Sequence, residues 1–129
     1  MAVQYLGLGD WLVIASAVLG IEAGVLAKAA DVTTADMALN APAAAFGGEE
    51  FYPDFKVKAG LLGYRLARQH ALPDGNKRTA FLTMVEFVER NGRVWEIRDE
   101  DQAFEMMVSA AAGEVSEGAF IRWASGNIT

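Results

Sequence analysis

The sequence predicts an all-α protein, a compact bundle of about six helices, and three observations carry that prediction. Apolar residues recur at helical spacing in segment after segment, most clearly in "DFKVKAGLLGYRLAR" and "NKRTAFLTMVEFVER". These segments are bounded by cap-type residues such as Asp54, Asp99 and Ser116, and by Gly or Asn where a helix should stop. Only "RVWEI" reads as a strand. No repeat, linker or low-complexity tract divides the 129 residues, so one domain over 1–129 is expected.

Taken in order, Asp10 would cap a first helix running through Ala29, with Gly20 and Gly24 as its weak points. Its segment "WLVIASAVLG" is apolar, and Ala15-Ser16-Ala17 faintly resembles a signal-peptidase site. No Lys or Arg precedes that run, Asp10 stands where a positive region belongs, and the run stops at Glu22. It is short of the roughly 18–20 residues that span a bilayer, so a buried core helix and a cytoplasmic protein are expected. Thr33 with Asp36 forms a small capping box for a short helix ending near Pro42. "FGGEEFYPD" reads as a loop. Phe55, Ala59, Leu62 and Leu66 then mark one face of a helix that ends at Gln69-His70. Asn76 opens the next, with Ala80, Phe81, Met84, Val85 and Val88 as its buried stripe and Asn91-Gly92 as its stop. Asp99 with Gln102 caps a helix through Ala112, ended by Gly113, and Ser116 starts the last, which buries Phe120 and Trp123.

Composition narrows the functions. A net charge of −6 argues against general nucleic-acid binding, which needs a basic footprint to displace phosphate counterions. With no cysteine and a single histidine, thiolate and imidazole metal sites are excluded. A metal, if used, should be a hard cation such as Mg2+ held by carboxylate, water and phosphate oxygens.

The chemistry concentrates in "HALPDGNKRTA", which holds the only histidine. Pro73-Asp74-Gly75 is turn material, and the helix beginning at Asn76 presents unpaired N–H groups at the positive end of its dipole. An anion, most commonly phosphate, is favoured there. Lys77 and Arg78 in that first turn run against the dipole, at a cost of roughly a few tenths of a kcal/mol each unless an anion is bound. Arg78 offers a planar fork, Lys77 a point charge, Asp74 a Mg2+ ligand and His70 a base able to take a proton near neutral pH. Singly, a His at a helix end reads as a dipole partner and a Lys-Arg pair as a solvated face. Together within nine residues they form the minimum set for transferring part of a nucleotide to a hydroxyl.

"HALPDGNKRTA" closely resembles the Doc branch of the Fic/Doc proteins, whose signature is His-x-Phe-x-Asp-(Ala/Gly)-Asn-Lys-Arg. "FGGEEFYPD", "FVERNG" and "AAGEVS" extend the resemblance over most of residues 30–125, and it fades over the first thirty. The resemblance implies that His70 is the catalytic base and Asp74 the acidic residue linked to Mg2+. It implies that Gly75, Asn76, Lys77 and Arg78 hold nucleotide phosphates, and that Phe46–Asp54 is the flap against which a target segment is laid. In adenylylating Fic proteins a glycine stands in the place of Lys77. In Doc proteins the lysine goes with a reversed ATP that presents its γ-phosphate. The implied activity is therefore a toxin's phosphorylation of a Ser or Thr on a translation factor, elongation factor Tu. Adenylyl transfer is the alternative, and a catalytically silent binding partner is a third.

Leu72 stands where the signature has Phe, and Gly75 where some Doc proteins have Ala, a choice that should loosen the loop slightly. The chain lacks the Ser/Thr-x-x-x-Glu-Gly/Asn motif of self-inhibited Fic proteins. The resemblance implies restraint by a Phd-type antitoxin whose C-terminal helix enters a groove. Met106, Met107 and Trp123 belong to stripes that read as core rather than as that groove.

Overall fold

The computed structural model describes residues 2–129 and is mostly helical. Seven α-helices are formed among the described residues: α1 (Leu8–Leu19), α2 (Ala23–Ala29), α3 (Val32–Asn40), α4 (Phe55–Arg68), α5 (Asn76–Arg90), α6 (Glu100–Ala112) and α7 (Glu117–Gly126). The small sheet holds only β1 (Ala45–Phe46) and β2 (Glu49–Glu50).

The helix expected to run from Asp10 through Ala29 is two helices. Gly20 takes a left-handed conformation (φ +69°) and closes α1 by donating its N–H to Ser16 O at 2.8 Å. The chain then turns by 101° into α2. No single helix among the described residues is long and apolar enough to cross a membrane. Asp10 sits in the first turn rather than at the cap: its carboxylate accepts from Gly7 N–H at 2.8 Å and pairs with Arg90 at 3.0 Å. The bond from Gly7 and the Arg90 guanidinium hold that carboxyl below its usual range against the opposing effect of burial. For α3 the cap is Asp31, not Thr33. Its two carboxylate oxygens accept from Thr34 N–H (3.1 Å) and Thr34 Oγ1 (2.7 Å), which the Thr33–Asp36 box cannot match. Asp54, Asp99 and Ser116 cap α4, α6 and α7 as expected, accepting from Lys56, Gln102 and Ala119 N–H.

"FGGEEFYPD" is more ordered than a loop. Ala45 pairs with Glu50 and Phe46 with Glu49 across a two-residue turn. Gly47 and Gly48 both have positive φ, the geometry that matches the twist of a tight hairpin. "RVWEI" is reduced to one antiparallel bridge, Trp95 to Ile128, beside reciprocal Val94–Thr129 backbone bonds.

The core forms around α4, which packs against α3, α5, α6 and α7. One face, Phe55, Ala59, Leu62 and Leu66, was legible in the spacing, yet Lys58, Gly60, Leu61, Gly63 and Ala67 are buried as well. Two glycines permit this. A methyl group on Gly60 would lie 2.9 Å from the Cα of Ile121 in α7, and one on Gly63 would meet the flexible Met84 side chain of α5. Gly60→Ala should therefore cost about 1–3 kcal/mol, because backbone has to move, and Gly63→Ala should cost less. Urea unfolding of both variants checks the order, and a gain in stability from Gly60→Ala would mean that helix propensity outweighs packing. Helix α5 buries Ala80, Met84 and Val88 with Phe81 and Val85 partly covered, and also Thr79, Thr83 and Phe87, because α1 covers its other side.

Candidate active site

The segment between α4 and α5 is pinned at several points. Asp31 N–H donates to Ala71 O at 2.7 Å, tying the loop to the start of α3. Ala71 and Leu72 are each 4% exposed, so Leu72 does the packing expected of the signature's Phe. The Asn76 side chain closes the loop on itself: its Oδ1 accepts from Leu72 N–H at 3.0 Å and its Nδ2 donates to Leu72 O at 2.8 Å. Both ends of that amide are thereby used. What Asn76 has left for a phosphate is its backbone N–H and the second N–H of Nδ2.

Gly75 precedes the helix in a left-handed conformation (φ +72°). A methyl there would approach Leu19 Cδ2 at 3.0 Å and Val18 Cγ1 at 3.2 Å. Glycine is thus required by this backbone rather than a source of looseness. Asp74 Oδ1 accepts from Gly75 N–H at 2.8 Å, leaving its second oxygen free on the exposed side. The first N–H of α5 satisfied along the helix is that of Thr79, to Gly75 O at 2.9 Å. Those of Asn76, Lys77 and Arg78 remain open at the positive end of a fifteen-residue helix. Lys77 and Arg78 are exposed, and neither forms an ion pair among the described residues.

This first turn forms one wall of a cleft of about 600 Å³. Asp74, Gly75, Asn76, Lys77 and Arg78 line it together; Phe81, Trp95, Arg98, Phe104 and Met107 are among the residues of the other walls. Five of the six residues singled out in the sequence therefore meet. His70 does not line the cleft; it is solvent-exposed just beyond the C-terminal end of α4. The far wall was missed. Phe104, 68% exposed, sits one helical turn before buried Met107, and a pattern of that kind reads as core in a sequence. Arg98 had no motif to mark it. Met107 and Trp123 are core-packed as expected, the Trp123 ring lying 5.5 Å from Trp95 and 5.3 Å from Phe120.

No group of three or more His, Cys, Asp or Glu side chains among the described residues could hold a metal by itself. Asp74 contributes one carboxylate, which suits Mg2+ completed by water and nucleotide oxygens.

A family model, described as the Fic/DOC family, matches residues 9–88. The match begins within the first thirty residues, where the resemblance was expected to fade. A relative, Toxin Doc of Mycolicibacterium smegmatis, is 39% identical over 89 residues, which span 69% of this chain and 65% of that protein. With the hairpin, the loop and all but the last two residues of α5 inside the matched span, the chain belongs to the Fic/Doc family.

Proposed function

We propose that the protein is the toxin of a toxin–antitoxin pair and acts as a protein kinase in the cytoplasm. It would move the γ-phosphate of ATP to a Ser or Thr hydroxyl of a translation factor, elongation factor Tu, and so inhibit translation. The observation that carries this reading is Lys77: an exposed cation without an ion pair among the described residues, in the first turn of α5, at the edge of the cleft. A side chain of that size occupies space that a nucleotide bound in the adenylylating orientation needs. The relative's name, Toxin Doc, supports the same reading.

The residues divide the work simply. Open N–H groups of Asn76, Lys77 and Arg78 would receive phosphate oxygens, with Arg78 as a fork and Lys77 as a point charge. Asp74 would hold Mg2+, which supplies neutralisation of the charge on the transferred group. His70 would accept the proton of the attacking hydroxyl while the new O–P bond forms and ADP leaves. The hairpin β1–β2 would align the target segment, and a Phd-type antitoxin would insert a C-terminal helix into a groove on the toxin.

Adenylyl transfer stays as the second reading because Phe81, Trp95 and Phe104 offer a base aromatic faces in the same cleft as the phosphate loop, whichever phosphate is transferred. Labelling decides between them. Elongation factor Tu, Mg2+ and either γ-labelled or α-labelled ATP are incubated with the protein. Transfer of the γ-label alone is the expected result. Transfer of the α-label makes this an adenylyltransferase, and no transfer of either points to a silent binding partner.

A further inference from the structure

Lys58 is the only charged side chain buried among the described residues, at 1% exposure in the middle of α4. Burying an ammonium group is expensive unless it is paired and hydrogen-bonded. Its partners are specific. Nζ donates to Pro42 O at 2.8 Å and to Glu50 Oε1 at 3.1 Å, and stands 5.4 Å from the centre of the Tyr5 ring. Burial opposes the charge, but the contacts with Tyr5 and Glu50 outweigh it and raise the pKa, so Lys58 stays an ammonium.

Glu50 belongs to β2, and Pro42 to a 3-10 turn (Ala41–Ala43) that leads into β1. The hairpin itself buries nothing. All four strand residues are exposed, with Phe46 at 82%, and Phe51 beyond β2 is 60% exposed. A two-stranded hairpin is marginal without packing or a tether. Phe51 N–H to Ala44 O at 3.0 Å closes its base, but that bond is internal to the hairpin. The Lys58 ammonium bonds both of its stems to the central helix, beside the packing of the 3-10 turn on α4 around buried Pro42.

We propose that Lys58 is a positioning residue: by clamping Glu50 and the Pro42 carbonyl to α4 it fixes the hairpin, and so sets how tightly the protein substrate is held. The second half rests on the proposed function, in which the hairpin aligns the target; the first half does not. Hydrogen exchange of the full chain reads the clamp directly. In Lys58→Met the hairpin amides should exchange about tenfold faster or more, while those of α4 and α5 keep their rates. In steady-state transfer to elongation factor Tu, KM for the protein should rise several-fold with KM for ATP and kcat unchanged. Glu50→Ala, a change at a half-exposed position, should reproduce both effects and decides the matter if Lys58→Met does not fold. Unchanged hairpin exchange in the variants overturns the clamp, whatever the activity. Faster exchange with an unchanged protein KM overturns its link to substrate. Should the wild type transfer nothing at all, the proposed function fails while the exchange result still decides the clamp.

Discussion

His70→Ala is expected to lower the rate of phosphoryl transfer by about two to four orders of magnitude, the usual worth of a positioned general base. Nucleotide affinity and thermal unfolding should stay as they are. The reason for so clean a separation is where the residue lies. His70 is exposed, lines no part of the cleft and joins no core cluster, so its removal takes away neither packing nor a phosphate contact. Initial rates with γ-labelled ATP, set beside a melting curve, check both halves. Transfer within tenfold of the wild type would mean that another group, or water alone, takes the proton. A fall in melting temperature would give the imidazole a structural part that its position does not suggest.

Much of this site was legible because a helix start has few chemical solutions. Turn residues ahead of Asn76 and two cations behind it violate the dipole preference, and a local violation of that kind is the pattern that an anion site would leave in a sequence. Three of the caps, Asp54, Asp99 and Ser116, were legible for the same reason: a short side-chain oxygen just ahead of an apolar period has one good use. The failures came where two equally good local signals competed. Asp10 and Gly7 both suit a helix start, and the chain puts glycine at the cap and the carboxylate three residues in. Gly20 could have been tolerated inside a helix, and tertiary packing chose the break. The burial of α4 on nearly every side was hidden because Gly60 and Gly63 look like weak helix residues until the neighbouring helices are in place. Lys58 was invisible for a related reason. Lysine reads as surface, and only the fold brings Glu50 and the Pro42 carbonyl to it.

Asn76 separates two explanations of the phosphate loop. The sequence groups it with Gly75, Lys77 and Arg78 as a binder of phosphates, whereas in the structure both the oxygen and the nitrogen of its amide are bonded to Leu72. Asn76→Ala would leave the N–H and the C=O of buried Leu72 without partners, at about 1–3 kcal/mol for each group left unsatisfied. The loop would then lose its fixed shape ahead of α5, and misplacing the first turn by an ångström can cost about a hundredfold in rate. The expected result is therefore a joint loss: lower stability in urea, and transfer reduced about a hundredfold even at saturating ATP. Asn76→Asp should do no better, since it keeps the acceptor for Leu72 N–H but sets a carboxylate against the Leu72 carbonyl. Lys77→Ala supplies the contrast. Lys77 is exposed and without an ion pair among the described residues, so its loss should weaken ATP binding without destabilising the fold. If Asn76→Ala behaves like Lys77→Ala, raising KM for ATP at unchanged stability, the amide turns toward the nucleotide when it binds and the brace to Leu72 is dispensable. If it behaves as expected, the asparagine of this motif acts one step removed from the phosphates, by holding rigid the backbone that binds them.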